Sequence, residues 1–291
     1  MWLVYAICAA VCFGLRGIVY QRMSKTPMNR SLFLFGVYVC GTIVALAGTF
    51  IMGQTWSVPT LVGIIMGVFS FGSNASMYKG FAVGKTSLVA MLTGLPAVVV
   101  ALLAYLMWGE TLTGSQMAAI GIILLGIIMI RYQSDVVSGP AKGAGWGLLA
   151  MITFAITDLA AKQSTLLGAH VLPTLTIMYA TGALLFFVSY VWSTRGKAEQ
   201  AAESAESEQQ ISRTKTFRKG LLAGTTNISG MIFILPAFKL GTTGLVSAVI
   251  AMNVVLILAY AWIIAKEPVN RKEFAGVLCS LVGLLVLKLA E

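Results

Sequence analysis

The sequence predicts an all-α integral membrane protein with ten transmembrane helices, arranged as two inverted repeats of five helices each. Three observations support this fold class. First, 58% of the 291 residues are hydrophobic and 10% are charged, whereas soluble domains carry about 25% charged residues. Second, the apolar residues fall into ten runs, and a helix of roughly 20 apolar residues spans a bilayer core. Third, residues of the first half recur in the second half at a constant separation.

The ten apolar runs are the predicted transmembrane helices 1 to 10. They cover about residues 2–21, 32–52, 60–79, 86–108, 115–131, 143–162, 172–192, 219–238, 242–264 and 272–289. The connections between them are short, except for the polar segment 193–218 between helices 7 and 8. That segment has an acidic centre and basic ends, which is the composition of a solvated loop, either irregular or partly helical.

The clearest internal repeat relates helices 4 and 5 to helices 9 and 10. At a separation of 157 residues, Gly84 aligns with Gly241 and Glu110 aligns with Glu267. Chance matching of apolar residues explains the Val and Leu pairs in these segments. It does not explain paired Gly, Thr and Glu residues in a single register, so we infer a duplication.

Helices 1 and 6 match more weakly, through an alignment of Phe13 with Phe154. The chain is therefore predicted to comprise two repeats, residues 1–132 and residues 133–291, with the 193–218 loop in the second. Because each repeat has an odd number of helices, the second runs inverted relative to the first. Inverted repeats are typical of transporters, whose substrate site lies near the midplane between the repeats.

The connections that follow helices 4 and 9 carry the same helix-start signal. Thr113 with Gln116, and Asn270 with Glu273, have the spacing of a capping box, which satisfies free backbone N–H groups at the start of a helix. Glu110 and its repeat partner lie just before these starts. A structural role at the membrane edge is the favoured interpretation for both glutamates, with transport chemistry as the alternative.

Composition and motif content exclude several functional classes. The net charge is +10, but the basic residues flank apolar runs and form no stripe interleaved with aromatic residues, so no nucleic-acid partner is expected. The four cysteines lie in apolar runs and His170 is the only histidine, so no metal site is expected. No cofactor-binding motif or phosphate-binding loop is present. The sequence contains no cluster of acids and no nucleophile paired with a base, so no enzymatic activity is expected.

Basic residues also give a predicted orientation. Lys and Arg concentrate in the odd-numbered connections, including six in and beside the 193–218 segment. The positive-inside rule places these connections in the cytoplasm. Both termini are then expected outside.

The sequence resembles the EamA type of the drug/metabolite transporter superfamily. The resemblance rests on the duplicated five-helix length, on the segment from Ala82–Gly84 through Pro96 to Gly109–Glu110, and on its echo from Gly241 to Glu267. It implies a ten-helix transporter with both termini in the cytoplasm, contrary to the charge count. Cargoes of this family include amino acids, sugars, nucleotide sugars, choline and drugs. The repeat departs from the family where Asn253 replaces the counterpart of Pro96.

A central cavity in such a fold needs polar side chains that face it, because polar groups that face lipid are costly. Helices 1, 3, 4, 6, 8 and 9 are expected to line the cavity. The candidate substrate-binding residues are Arg16, Asp158, Asn74, Tyr78, Asn227, Asn253, Tyr20 and Trp146.

Several polar residues have a structural interpretation beside the functional one. Asn74 and Asn227 lie among small residues, where hydrogen bonding between packed helices is an equal alternative. Asn253 either satisfies a backbone carbonyl or lines the cavity. Trp146 lies near a helix start and fits an interfacial anchor better than a cavity residue. Lys162 lies near a helix end and is expected to snorkel towards the membrane surface.

Arg16 and Asp158 are charges inside predicted membrane helices, each 14 residues beyond its helix start at Trp2 or Ala144. Because the two helices run in opposite directions, the charges are expected to flank the midplane, about 12 Å apart along the membrane normal. That gap suits a bridging zwitterion, with Arg16 binding a carboxylate and Asp158 an ammonium group. The alternatives are a structural Arg16–Asp158 ion pair, a snorkelling Arg16, and an Asp158 that carries a coupling proton.

These features predict a secondary carrier or facilitator in the cell membrane, either plasma or inner, that works by alternating access. The expected cargo is a small polar metabolite, most simply an amino acid or related zwitterion. A sugar or sugar derivative is the alternative cargo, and a membrane-embedded enzyme is the competing class. The expected partners are a small-molecule substrate, the lipid bilayer and coupling protons, and both a monomer and a homodimer fit the sequence.

Overall fold

The computed structural model describes residues 1–24, 26–83, 89, 92–131, 143–201, 212–264 and 271–289. Regular secondary structure in these ranges is helical. The helices are α1 Trp2–Ser24, α2 Arg30–Ile51, α3 Val62–Val83, α4 Pro96–Trp108, α5 Gly114–Arg131, α6 Ala144–Leu166, α7 Val171–Ala201, α8 Arg213–Leu240, α9a Thr243–Ala251, α9b Asn253–Ile263 and α10 Arg271–Leu289. A short 3-10 helix, Val58–Leu61, precedes α3.

Six of these helices are long and apolar enough to cross a membrane: α1, α2, α3, α6, α7 and α8. Shorter apolar helices include α4, α5 and the segment from α9a into α9b. Many large apolar side chains on these helices point outward, as lipid contact requires. The predicted all-helical membrane class is confirmed, and every predicted run overlaps a described helix.

The predicted capping box at the start of α5 is present. The side-chain carbonyl of Gln116 accepts a hydrogen bond from the backbone N–H of Thr113 at 3.1 Å, and the Thr113 hydroxyl accepts one from the Gln116 N–H at 3.3 Å. These reciprocal bonds satisfy two donors that a helix start leaves free. The second predicted box involves Asn270, which lies outside the described residues.

The predicted helices 4 and 9 are both interrupted, at positions 157 residues apart. Leu95 precedes Pro96 with non-helical backbone angles, because a proline disfavours helical geometry in the residue before it. Met252 lies in a turn that separates α9a from α9b. The predictions of continuous helices over 86–108 and 242–264 are therefore wrong: α4 begins only at Pro96, and two shorter helices, α9a and α9b, replace predicted helix 9.

Small residues allow α5 and α10 to pack closely along their length. A Cβ added to Gly126 of α5 would lie 2.6 Å from the carbonyl oxygen of Gly276 in α10. A Cβ added to Gly283 of α10 would lie 3.1 Å from the carbonyl oxygen of Ala119 in α5. Gly126 and Gly283 are 157 positions apart, and so are Ala119 and Gly276. The second contact is therefore the first one with the two halves of the chain interchanged.

The contact between α2 and α7 has the same reciprocal form. Gly41 of α2 lies under the ring of Tyr179, and Gly182 of α7 lies under the ring of Tyr38. Tyr38 and Tyr179, like Gly41 and Gly182, are 141 positions apart. This is the separation that also aligns the first and sixth predicted helices.

Two further interfaces correspond across the halves of the chain. A Cβ on Gly67 of α3 would lie 2.6 Å from the Met178 carbonyl oxygen in α7, and one on Gly224 of α8 would lie 2.7 Å from the Val37 carbonyl oxygen in α2. The α3–α7 and α2–α8 interfaces therefore place glycines against matching carbonyl groups.

Candidate functional site

Arg16 lies in the second half of α1, and its side chain points towards α8. One guanidinium N–H donates a hydrogen bond of 2.8 Å to the side-chain oxygen of Asn227. The guanidinium carbon also lies 4.5 Å from the ring centroid of Phe13 and 5.8 Å from that of Tyr20. Spacings of three and four residues bring these rings and Arg16 to one face of α1. The contact with a buried asparagine favours an inward-facing Arg16 over a snorkelling one.

The rings beside Arg16 continue into a group of buried tyrosines. Tyr20 of α1 lies 5.8 Å from Tyr78 of α3, measured between ring centroids. On α2 and α7, the Tyr38 and Tyr179 rings lie 5.4 Å apart. The two pairs are neighbours, because the Tyr38 hydroxyl is bonded to Asn74, one helical turn before Tyr78 on α3. Of the four, sequence reasoning identified only Tyr20 and Tyr78 as candidates.

Asn74 of α3 is buried and fixed by two donated hydrogen bonds. Its side-chain nitrogen donates to the Tyr38 hydroxyl at 3.1 Å and to the Ser70 carbonyl oxygen at 2.8 Å. The Tyr38 hydroxyl also bonds the Ser70 hydroxyl at 2.5 Å. Because a backbone carbonyl can only accept, the Asn74 nitrogen must face Ser70, which leaves the amide oxygen free for another partner.

Several polar atoms in this region have no hydrogen-bond partner within the described structure. They are the hydroxyls of Tyr20, Tyr78 and Tyr179 and the side-chain oxygen of Asn74. All four side chains are at most 5% exposed. A buried polar atom left without a partner costs about 1–3 kcal/mol. We call Arg16, Tyr20, Asn74, Tyr78 and Tyr179 the central polar group.

Asp158 of α6 is hydrogen-bonded to α9a. Its carboxylate accepts a 2.8 Å hydrogen bond from the hydroxyl of Ser247. The charged atoms of Arg16 and Asp158 lie farther apart than the 4.0 Å that defines an ion pair. The predicted alternative of a direct structural pair is therefore not what the structure contains.

Lys162, one helical turn beyond Asp158, does not snorkel. Its ammonium group donates to the carbonyl oxygens of Phe238 at 2.8 Å and Gly241 at 3.0 Å, and pairs with Glu110 at 3.3 Å. The expectation of a snorkelling lysine is wrong, because carbonyl groups at the end of α8 and a carboxylate offer the ammonium three partners inside the protein.

Glu110 has the structural role that the sequence favoured. Its carboxylate accepts bonds from the Thr243 backbone N–H at 2.7 Å and the Thr243 hydroxyl at 2.8 Å. Thr243 is the first residue of α9a, where free N–H groups and the helix dipole attract an anion. The carboxylate thus links the end of α4 to the start of α9a. Its repeat partner Glu267 lies outside the described residues.

Two predicted candidates lie apart from these polar contacts. Trp146, at the start of α6, has the ammonium group of Lys79 at 4.3 Å from its ring centroid. This cation–π contact fits the anchoring alternative. Asn253 begins α9b and is partly buried. Its backbone carbonyl oxygen would lie 3.2 Å from a Cβ on Gly14 of α1.

Sequence reasoning missed Tyr38, Tyr179 and Ser247. A signal for the two tyrosines was present, because they are related by the same 141-residue separation as Phe13 and Phe154. Ser247 carried no such signal, since one serine in an apolar helix resembles any small packing residue.

Comparison with known proteins identifies the family. The model of the EamA-like transporter family matches residues 1–132 and again residues 141–289. The chain belongs to the EamA-like transporter family. A comparison with curated proteins gave no significant match. Among solved structures, one described as "Crystal structure of protein" superposes with a TM-score of 0.76 and 14% sequence identity, covering 99% of this chain and 96% of the other.

Membership of the EamA-like family agrees with the helical membrane fold and indicates transport of small molecules as the general function. At 14% identity the structural match supports the fold alone, whereas the family match covers both halves of this EamA-like protein. The chain is thus a multi-pass membrane protein of a small-molecule transporter family. The boundary between the matched segments falls close to the predicted division after residue 132.

Proposed function

We propose that this EamA-like protein is a secondary carrier or facilitator for a small zwitterionic metabolite, most simply an amino acid. The observation that carries the proposal is that two intramembrane charges are each hydrogen-bonded to a neutral side chain and form no ion pair with one another. Arg16 is turned inward onto Asn227, and Asp158 is bound only by Ser247 among the described residues. The two charges do not neutralise one another through an ion pair, so each remains able to bind an opposite charge on a cargo.

The chemistry of the two groups suits the two ends of an amino acid. A guanidinium binds a carboxylate through charge-assisted hydrogen bonds, and four of its five N–H groups remain beyond the one given to Asn227. A carboxylate such as Asp158 binds an ammonium group. Charged residues inside a membrane protein are costly and mark substrate or ion pathways. Asp158 is also the candidate for a coupling proton.

The packing supports two halves related by a pseudo-two-fold axis. The interfaces α2–α7 and α5–α10 each contain reciprocal contacts between residues a fixed distance apart in sequence. Such self-complementary contacts are what a two-fold axis produces. An axis that exchanges two halves of five spanning helices each lies in the membrane plane and inverts one half relative to the other. The packing therefore supports the architecture of alternating access.

The breaks before α4 and between α9a and α9b support the same mechanism. They lie at corresponding positions of the two halves, before Pro96 and at Met252. Carriers with inverted repeats build substrate sites from discontinuous helices. Asp158 bonds Ser247 in α9a, so the broken helix is next to one of the proposed binding charges.

Transport by purified protein in liposomes tests the proposal. Wild type is expected to take up a radiolabelled amino-acid mixture, and Arg16→Gln and Asp158→Asn are expected to fold but to lose uptake. The matched control is Arg218→Gln, which removes an exposed arginine from α8 and should transport normally. An imposed proton gradient should accelerate uptake if Asp158 carries a coupling proton.

The outcomes separate the alternatives. Full transport by Arg16→Gln contradicts a binding role for Arg16. Misfolded single variants with a rescued double variant indicate a structural charge pair instead. Uptake of a hexose without uptake of amino acids supports the sugar alternative, for which buried aromatic rings and neutral polar groups around Arg16 offer binding surfaces.

A further inference from the structure

Unpaired buried polar atoms are concentrated around Arg16. Within the described residues, six buried side-chain polar atoms lack a hydrogen-bond partner, and four belong to the central polar group. The other two are on Thr216 and Trp262. A random scatter of packing defects would not place most of them beside the one intramembrane arginine of α1.

The hydroxyls are a cost to the conformation that the structure shows. Phenylalanine would fill almost the same space as tyrosine at positions 20, 78 and 179 and would leave no donor without a partner. Removing an unpaired buried polar group is neutral or stabilising, whereas removing a paired one is destabilising. In this conformation the three hydroxyls therefore contribute nothing to folding that a phenyl ring would not supply.

The contacts connect these atoms into one region. Arg16 lies beside the Tyr20 ring, and Tyr20 packs near Tyr78. Tyr179 packs against Tyr38, whose hydroxyl is bonded to Asn74. Asn74 lies one helical turn before Tyr78 on α3. The unpaired set thus contains three phenol donors and one amide acceptor around a cation.

We propose that Tyr20, Tyr78 and Tyr179 determine specificity by donating hydrogen bonds to the carboxylate that Arg16 binds, while the Asn74 oxygen accepts one from the ammonium group. This inference rests on the proposed function and names the atoms that recognise the cargo through hydrogen bonds.

The numbers of donors and acceptors match an amino acid. An ionised carboxylate offers about four lone-pair sites, which Arg16 and the three phenols can fill. The hydroxyls are shielded in the present conformation, so the cargo reaches them when helices or side chains move during the transport cycle. Binding then satisfies groups that the present conformation leaves unpaired.

Tyrosine-to-phenylalanine variants test the inference, because each removes only a hydroxyl. For Tyr20→Phe, Tyr78→Phe and Tyr179→Phe, we expect unchanged or higher thermal stability without cargo, together with a KM for the amino-acid mixture raised about ten-fold. A ten-fold change is what the loss of one hydrogen bond to a charged group produces. Both quantities are measured on the full-length protein, in detergent for stability and in liposomes for uptake.

Tyr38→Phe is the matched control for stability. The Tyr38 hydroxyl is paired with Ser70 and Asn74, so its removal should lower the melting temperature. Lower stability of the other three variants with an unchanged KM would overturn the inference and leave the tyrosines as packing residues.

A second measurement needs no variant. Amino-acid amides, which lack the carboxylate, should fail to compete with labelled uptake by wild type, and full competition by the amides would overturn the inference. Absence of any amino-acid uptake by wild type would contradict the proposed function and the inference together. Normal wild-type uptake with an unaltered KM in the phenylalanine variants would contradict the inference alone.

Discussion

At the scale of single residues, the ammonium group of Lys162 is fully satisfied. It has three N–H donors, and two backbone carbonyls and the Glu110 carboxylate take them up. Glu110 in turn accepts both polar hydrogens that Thr243 offers. Lys162 is 7% exposed, so loss of either partner leaves a charge in a dry environment.

Substitution of Lys162 by Met or Glu110 by Gln should therefore destabilise the protein. Breaking a buried ion pair by removing one partner costs about 3–5 kcal/mol, whereas replacing both partners costs less. Thermal unfolding in detergent should show a lower melting temperature for each single variant and partial recovery in the Glu110→Gln/Lys162→Met double variant. Lys239→Met, which removes an exposed lysine from α8, is the control. Wild-type stability in Lys162→Met would show that the pair contributes nothing.

Residue identity alone could predict that Arg16 and Asp158 have polar partners inside the protein, because charge inside an apolar run is costly. It could not predict the direction in which Lys162 points. A lysine near a helix end can reach the membrane surface or the protein interior. Lys162 points to the interior because Phe238 and Gly241, which are distant in sequence, offer it carbonyl groups there.

At the scale of helices, glycine placement controls how closely α5 and α10 approach. Gly126 lies in the contact with α10, where a Cβ would be 2.6 Å from a backbone nitrogen and a backbone oxygen. Gly121, on the same helix, has open space around it. The two glycines therefore provide a matched pair on one element.

Gly126→Ala should separate α5 from α10 and lower thermal stability. Gly121→Ala should be neutral or slightly stabilising, because alanine is favoured over glycine in a helix by roughly 0.5–1 kcal/mol. Melting temperatures of the two purified variants in detergent check the prediction. Equal melting temperatures for both variants would mean that the close contact does not exist in the folded protein.

Helix positions followed well from the sequence, since long apolar runs leave few alternatives in a bilayer. The interruption of α4 had a visible cause in Pro96. The break at Met252 did not, because no proline or glycine lies between residues 245 and 263. Packing of α9a against α4 and α6, and of both α9 segments against α1, is a tertiary effect that a single run of apolar residues does not encode.

At the scale of the whole molecule, two sequence separations describe the duplication. Helices α2 and α7 correspond at 141 residues, and α3 and α8 correspond at 157 residues. The difference of 16 residues corresponds to an insertion within the polar 193–218 segment. The ends of that segment, 193–201 and 213–218, are helical and belong to α7 and α8. The orientation of that segment stays a prediction, since residues 202–211 are outside the described part of the chain.

In the proposed mechanism, this EamA-like protein is a carrier whose two halves alternately expose one site. Counterflow in liposomes tests that claim most directly: vesicles are preloaded with an unlabelled amino-acid mixture, and the entry of the labelled mixture is followed. A carrier must return its site across the membrane, and an internal cargo speeds that return. We predict faster labelled uptake into preloaded than into empty vesicles, and loss of the difference in Arg16→Gln. Uptake that is absent, or that is indifferent to the internal amino acids, would contradict the account.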